Sequence, residues 1–171
     1  MPIAAGASTF VTRFPRSEED VWLDPGSYAV RVRVKPSTGG LSTLDTARFD
    51  VPKTPAAGSF ALGLPFYARR GQATGNVEVM TADLRYRRVE RIAVEISATL
   101  APDSVTGELL DRKGKPIALP VTASTVQKDA VVWVRGDMPL ASLAPGDYVL
   151  RLTATKGTEK KQVLAPFRIV P

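Results

Sequence analysis

Residues 143–155 read Leu143-Ala144-Pro145-Gly146-Asp147-Tyr148-Val149-Leu150-Arg151-Leu152-Thr153-Ala154-Thr155. The Pro-Gly pair favours a sharp turn, because proline fixes φ and glycine accepts conformations that other residues avoid. After it, apolar and polar side chains alternate with the period of a half-buried β-strand. A tyrosine just inside such a strand can bury its ring and return its hydroxyl to the backbone upstream, as in the tyrosine corner of immunoglobulin-like sandwiches. The stretch therefore predicts a corner between two packed β-sheets.

This arrangement occurs twice in the chain. The two copies first align without a gap at an offset of 120 residues, and the corresponding pairs are Val11/Val131, Leu23/Leu143, Pro25-Gly26/Pro145-Gly146, Tyr28/Tyr148 and Arg31/Arg151. The loop that follows is two residues shorter in the second copy. After it, the corresponding pairs are Ala47/Ala165, Phe49/Phe167 and Val51/Ile169. Turn residues match as well as the apolar pattern, which indicates an internal structural repeat.

Alternation extends along the whole chain. The longest alternating runs predict strands over Tyr28–Lys35, Arg91–Ala98 and Tyr148–Thr155. Shorter strands are predicted at 10–14, 60–64, 76–80, 107–111, 117–122, 130–135 and 162–170. Gly114 is expected to supply a positive φ in a short hairpin over Leu110–Ile117. Since no segment shows a helical period, we predict an all-β chain with an immunoglobulin- or fibronectin-III-like β-sandwich fold.

The repeat also predicts the domain organisation. Residues 53–171 are long enough for a complete sandwich module of the immunoglobulin class, whereas residues 1–52 match only the C-terminal part of such a module. Half a sandwich exposes an apolar face and unpaired strand edges. We therefore expect residues 1–52 to pack on the complete module, to pair with another chain, or to belong to a longer protein.

Two absences in the composition limit the chemistry. The chain contains no histidine and no cysteine, which excludes a Ser-His-Asp triad, a cysteine nucleophile, disulfide bonds and metal sites built on imidazole or thiolate. The acidic run Glu18-Glu19-Asp20 lacks the spaced ligands of a calcium loop and is expected to be solvated. Ser124 and Lys128 do not have Ser-x-x-Lys spacing and are expected in a loop. We predict no enzyme activity, no cofactor and no metal site.

A cluster of arginines is the strongest signal outside the scaffold. Its members are Arg69, Arg70, Arg85, Arg87, Arg88 and Arg91. With Tyr67 and Tyr86 nearby, such a basic patch could bind nucleic acid or an anionic polysaccharide. Exposed strands also carry Lys and Arg to prevent association at their edges. Because the net charge is only +6, we expect solvated sheet faces and no nucleic-acid binding.

The two tryptophans, Trp22 and Trp133, are candidates for stacking on a sugar, as in carbohydrate-binding modules. They lie at positions of the repeat that do not correspond to each other. We therefore favour packing in the core or between modules, and keep carbohydrate binding through exposed Trp or Tyr as the alternative function.

The corner and strand motifs resemble those of one protein family. The run from Pro25 to Pro52, the lead-in Arg85–Arg91, and the segments Leu110–Pro116, Leu143–Tyr148 and Phe167–Pro171 are similar to the C-terminal immunoglobulin-like region of bacterial VWFA-related proteins. In that family, a von Willebrand A-type domain precedes immunoglobulin-like modules. The Asp-x-Ser-x-Ser metal motif of the A-type domain is absent from this sequence. The resemblance implies a non-catalytic module of an exported protein.

We therefore expect a spacer or docking β-sandwich whose partner is a protein or a neighbouring domain of the same polypeptide. Strand addition at an open edge of the first segment is the expected mode, and a strand-mediated homodimer is one form of it. No apolar run is long enough to predict a membrane span. The N-terminus lacks the pattern of a signal peptide, so we expect either a cytoplasmic protein or an internal piece of an extracellular or periplasmic one.

Overall fold

The structure is a computed structural model that describes residues 23–36, 39–51, 53 and 55–171. Its described residues form two compact units, one from 23 to 56 and one from 57 to 171. The boundary predicted between residues 52 and 53 adjoins Pro52 and Thr54, which lie outside the described residues, and it stays a prediction.

The regular structure of the described residues consists of β-strands and one 3-10 turn, Gln72–Thr74. The strands are β1 (Gly26–Val34), β2 (Thr43–Val51), β3 (Leu62–Arg70), β4 (Val79–Met80), β5 (Arg85–Arg87), β6 (Arg91–Ala98), β7 (Ser104–Asp111), β8 (Pro116–Ile117), β9 (Thr122–Lys128), β10 (Val131–Pro139), β11 (Gly146–Lys156) and β12 (Glu159–Val170). The predicted all-β class is confirmed. Within the part of the chain that is described, no helix has the length and apolarity needed to cross a membrane.

The larger unit is a β-sandwich of two five-stranded sheets. One sheet has the order β4-β3-β6-β10-β9 and the other has the order β5-β12-β11-β7-β8. Apart from the short edge strands, this is the A-B-E-D and G-F-C arrangement of immunoglobulin-type sandwiches. All pairings are antiparallel except that of β12 with β5, which is parallel. The fold predicted from the sequence is therefore confirmed at the level of a complete β-sandwich.

Apolar side chains from both sheets meet between the layers. The largest fully buried side chains are Tyr86, Ile92, Val94, Ile96, Leu109, Val134, Met138, Leu140, Leu150, Leu152 and Ile169. On β6 and β11 they occupy alternate positions, as the sequence pattern predicted. One continuous core of this kind supplies the hydrophobic stabilisation that a domain of this size needs without disulfide bonds.

The predicted tyrosine corner is present in both units. The Tyr148 hydroxyl donates to the backbone oxygen of Ala144 at 2.9 Å, and the Tyr28 hydroxyl donates to that of Asp24 at 2.7 Å. Each ring also stacks on a phenylalanine of the next strand, with centroids 5.8 Å apart for Tyr148 and 5.9 Å apart for Tyr28. The hairpin β1–β2 is thus the counterpart of β11–β12, the last two strands of the complete sandwich.

Three strand predictions are corrected. The strand predicted at 117–122 is two strands, because β8 pairs with β7 in one sheet while β9 pairs with β10 in the other. Pro120 lies at the crossing between them, where its missing N–H breaks no ladder. The loop expected at 124–128 is instead part of β9, which covers residues 122–128. The short strand β5 was not predicted. The hairpin around Gly114 is confirmed, with φ of 79° at that glycine.

Candidate functional site

The predicted basic patch does not form one array of free cations. Arg69, at the end of β3, is largely buried and places its guanidinium 4.9 Å from the centre of the Tyr86 ring. Its Nη2 donates to the backbone oxygens of Asp83 at 2.7 Å and Arg85 at 3.1 Å. These contacts attach the segment before β5 to β3. Arg69 therefore holds the two sheets together at this end and is not available to a ligand.

Glu90 completes the same arrangement. Its side chain is only 5% exposed, and its carboxylate accepts from the Arg87 N–H at 2.6 Å and from the Arg69 guanidinium at 3.5 Å. The Glu90 N–H in turn donates to the Arg87 oxygen at 3.0 Å. A buried carboxylate is tolerated where such partners satisfy it. Glu90 thus fixes the turn between β5 and β6.

Three other arginines of the patch also have partners. Arg85 pairs with Asp83 at 3.0 Å, and this hydrogen bond lowers the pKa of the Asp83 carboxyl. Arg88 donates to the backbone oxygen of Ala141 at 2.7 Å, and Arg91 forms an ion pair with Asp137.

The side chains of Arg70 and Arg87 make no ion pair or side-chain hydrogen bond within the described residues, although Arg70 lies opposite Arg91 in the β3–β6 ladder. These two arginines are therefore the members of the patch that no hydrogen bond or ion pair holds, although the charge of Arg70 also helps to lower the pKa of Glu78.

The tyrosines that could have extended the patch face inward. Tyr86 is 0% exposed, and burial raises its pKa above its usual value. Tyr67 is half-buried and packs against the same core, and burial raises its pKa to about 12. The suggestion that Tyr86 stacks on a nucleic acid or polysaccharide is therefore wrong, because its ring is part of the core.

A charge network that the sequence analysis did not identify covers the outer face of the β3-containing sheet. Arg135 on β10 donates to Glu78 at 2.8 Å and to Glu95 on β6 at 2.7 Å. It also contacts Asp137 at 3.4 Å, and Lys128 on β9 reaches Glu95 at 2.7 Å. The hydrogen bond to Arg135 is the main cause that lowers the pKa of Glu78. The network ties β6, β9 and β10 together and pairs both of its cations with carboxylates.

Trp133 lies on this outer face, because its neighbours Val132 and Val134 point to the core. Packing of Trp133 in the core, one of the two predicted environments, is thus wrong, whereas packing between modules stays a prediction. Its ring meets Phe66 edge-on at 5.7 Å, and Phe66 is itself 46% exposed. Trp133 and Phe66 form an aromatic patch, and Leu64, two residues before Phe66 on β3, is also exposed. Trp22 and the acidic run Glu18-Glu19-Asp20 lie outside the described residues.

Ser124 and Lys128 do not form a catalytic pair. Both lie on β9, four residues apart, which corresponds to about 13 Å along a strand. The Lys128 ammonium is engaged by Glu95. In the part of the chain that the structure describes, no three acidic side chains are placed to hold a metal ion.

The hairpin β1–β2 has no further partner strand among the described residues. Among the described residues it forms a two-stranded sheet of its own, with Gly26 opposite Val51 and Val34 opposite Thr43. Its counterpart β11–β12 is flanked by β7 on one side and β5 on the other. Within the described part of the chain, the outer edges of β1 and β2 therefore leave backbone N–H and C=O groups that a further strand can bind.

A comparison of the chain with known protein families finds no family that matches, and a comparison with curated proteins finds no match either.

Proposed function

We propose that the chain is a non-catalytic structural or protein-interaction module, a spacer or docking β-sandwich of a larger bacterial VWFA-related protein. The observation that carries this proposal is the hairpin β1–β2, whose strand edges have no partner strand in the described residues. An extracellular or periplasmic location follows from the proposed family and belongs to the same proposal.

The proposed mode of docking is strand addition. In the complete sandwich, β7 pairs with β11 in antiparallel register, from Tyr148 opposite Asp111 to Thr155 opposite Ser104. The corresponding edge of β1 can accept an extended segment in the same way, through backbone hydrogen bonds. The outward side chains Arg31 and Arg33 favour an acidic segment as the added strand.

Limited proteolysis tests whether the hairpin is an engaged element. A two-stranded sheet alone is marginally stable, so slow trypsin cleavage after Arg31 and Arg33 requires that the hairpin is packed or paired. Cleavage after Lys53, which is exposed and outside a strand, is the internal reference. We expect the two hairpin sites to be cut more slowly than Lys53. Rapid release of the hairpin from a protein that elutes as a monomer would contradict docking through it.

Carbohydrate binding remains the second candidate, because the partly buried Trp133 and the exposed Phe66 lie side by side on the outer sheet face. Planar rings on such a face can stack on sugars. Titration with soluble polysaccharides should then change the tryptophan fluorescence, and the Trp133→Phe variant should lose the change. Fluorescence that no polysaccharide alters would leave the patch as a packing surface.

A further inference from the structure

The hairpin β1–β2 carries on one face the same apolar positions that are buried in the complete sandwich. Val30, Val32 and Val34 of β1 are 42%, 38% and 40% exposed. Their counterparts in β11, which are Leu150, Leu152 and Ala154, are each 0% exposed. The first unit thus has side chains suited to a core on a face that the other described residues of this unit leave open.

The second strand and the corner show the same contrast. Phe49 is 40% exposed, whereas its counterpart Phe167 is 4% exposed. Leu23, before the first corner, is 45% exposed, whereas Leu143 is 3% exposed. Exposed apolar side chains gathered on one face usually indicate a surface that another element covers. The contrast extends over both strands and the turn before them.

The complete sandwich shows what covers the equivalent face. Side chains of β6 and β10 lie opposite β11 and β12, and they include Ile92, Val94, Ile96, Val134 and Met138. The approach of β10 to β11 is close, because a Cβ added at Gly136 would lie 2.6 Å from Leu152 and 3.2 Å from Leu150. In chain order, these covering strands precede the hairpin that they cover.

We infer that strands preceding Leu23 in the polypeptide close the apolar face of β1–β2, as β6 and β10 close that of β11–β12. The inference deepens the proposed function, on which it rests, by naming the structure that engages the hairpin. The covering strands present alternating apolar side chains toward Val30, Val32 and Phe49. The free edge of β1 is then the equivalent of the β11 edge that binds β7.

The size of the face argues against a second copy of the chain as the cover. Two paired strands of nine residues present a face of about 300 Å², whereas a stable protein interface buries about 800 Å² on each partner. A sheet continuous with the hairpin in one polypeptide has no such requirement, because its association is intramolecular.

One position departs from the buried pattern. Asp45 lies opposite Val32, where the complete sandwich has Val163 opposite Leu152. Since a buried carboxylate needs a donor, the covering strands are expected to carry a polar or basic side chain near Asp45. Where a copy of β6 and β10 serves as the cover in the experiment, Asp45 is therefore replaced by Val, the residue at the equivalent position of β12.

Thiol labelling tests the inference, because the chain contains no cysteine. The V32C variant places a thiol on the apolar face, and the R33C variant places one on the opposite face as its control. Labelling by a maleimide is measured in the 171-residue chain and in an extended chain, in which a copy of residues 57–142 replaces residues 1–22. We expect labelling of V32C to be at least about tenfold slower in the extended chain, with R33C unchanged.

Each result decides the matter. Slow labelling of V32C in a monomeric 171-residue chain supports the inference if removal of residues 1–22 makes the labelling fast. If labelling stays slow without them, the complete sandwich covers the face and the inference is overturned. Fast labelling in both chains overturns it, and so does protection that requires dimer formation. If the extended chain does not fold, a chimera in which residues 23–51 replace 143–170 decides instead. Cooperative unfolding of the chimera supports the inference, and the lack of a folded chimera overturns it.

The two tests fail separately. Rapid trypsin cleavage together with protection in the extended chain would remove docking by this chain but leave the covered face. Slow cleavage together with fast V32C labelling in both chains would leave edge docking but remove the cover.

Discussion

The Tyr148 hydroxyl donates a 2.9 Å hydrogen bond to the backbone oxygen of Ala144, four residues upstream across the Pro145-Gly146 turn. The bond joins the start of β11 to the end of the connection from the opposite sheet. Gly146 has a φ of 158°, and the Tyr148 ring lies against it, with Cε2 at 3.7 Å from where a Cβ would be. Turn, ring and hydroxyl therefore act together to set the angle at which the chain changes sheets.

Replacing Tyr148 by Phe removes this hydrogen bond and keeps the ring that stacks on Phe167. We expect the free energy of unfolding to fall by about 1 kcal/mol, the usual net contribution of one such bond. Urea denaturation followed by circular dichroism measures it. The Tyr28→Phe variant is the matched control, since Tyr28 belongs to the other unit and should leave the main transition unchanged. Equal losses in both variants would contradict a corner that acts within its own unit.

The corners and the long strands could be predicted because their signals are local. Pro-Gly, the tyrosine and the alternation all lie within about a dozen residues, and β6 was predicted with its observed bounds, Arg91–Ala98. The charge network could not be predicted, because Arg135 and Glu78 are 57 residues apart in sequence. Only the order of the strands places them side by side. Arg69 was taken for a surface residue for the same reason, since its partners lie on another segment.

A second prediction compares a core-facing residue of the β11–β12 pair with a residue on the outer face of the same pair. Leu152 on β11 is 0% exposed, whereas Leu164 on β12 is 57% exposed on the outer face. We expect Leu152→Ala to lower the free energy of unfolding by about 3 kcal/mol, because it removes buried methyl groups and leaves a cavity. Leu164→Ala should change it by less than about 0.5 kcal/mol. Comparable losses would show that the two sheets are not packed as described.

The outer network predicts a dependence of stability on pH. Arg135 lowers the pKa of Glu78 below its usual value of 4.5. Above that pH the ion pair therefore makes its full contribution to the free energy of unfolding, and this contribution is lost as the pH falls through the lowered pKa. Arg135→Gln should reduce stability near pH 7 by about 2 kcal/mol and should flatten the decline toward acid pH. Urea midpoints between about pH 7 and pH 3 measure both effects.

The control for that series is Arg151 on β11, which pairs with Glu108 on the adjacent strand β7, in the sheet that does not carry the network. Arg151 forms a single, partly exposed ion pair, so Arg151→Gln should lower the free energy of unfolding by less than about 1 kcal/mol. An acid profile of Arg135→Gln that matches that of the unmodified protein would mean that Glu78 owes no stabilisation to Arg135.

Binding to heparin tests what remains of the basic patch. Arg69, Arg85, Arg88 and Arg91 are engaged by protein groups, which leaves Arg70 and Arg87 without a side-chain partner in the described residues. We therefore expect elution from a heparin column below about 150 mM salt, the physiological ionic strength. The Arg70→Gln and Arg87→Gln variants should elute only slightly earlier. Elution well above that salt, reduced by either variant, would restore a polyanion site.

A substitution can show whether Arg69 holds the two sheets together through the shape of its guanidinium or only through its charge. Lysine keeps the positive charge but lacks the planar fork that donates to Asp83 and Arg85 while lying over the Tyr86 ring. Arg69→Lys should therefore lower the free energy of unfolding by about 1–2 kcal/mol. Arg87→Lys changes an unpaired side chain of the same predicted patch and should have an effect within about 0.5 kcal/mol. If the two variants are equally stable and both weaken heparin retention, Arg69 acts at the surface and not as a tie between the sheets.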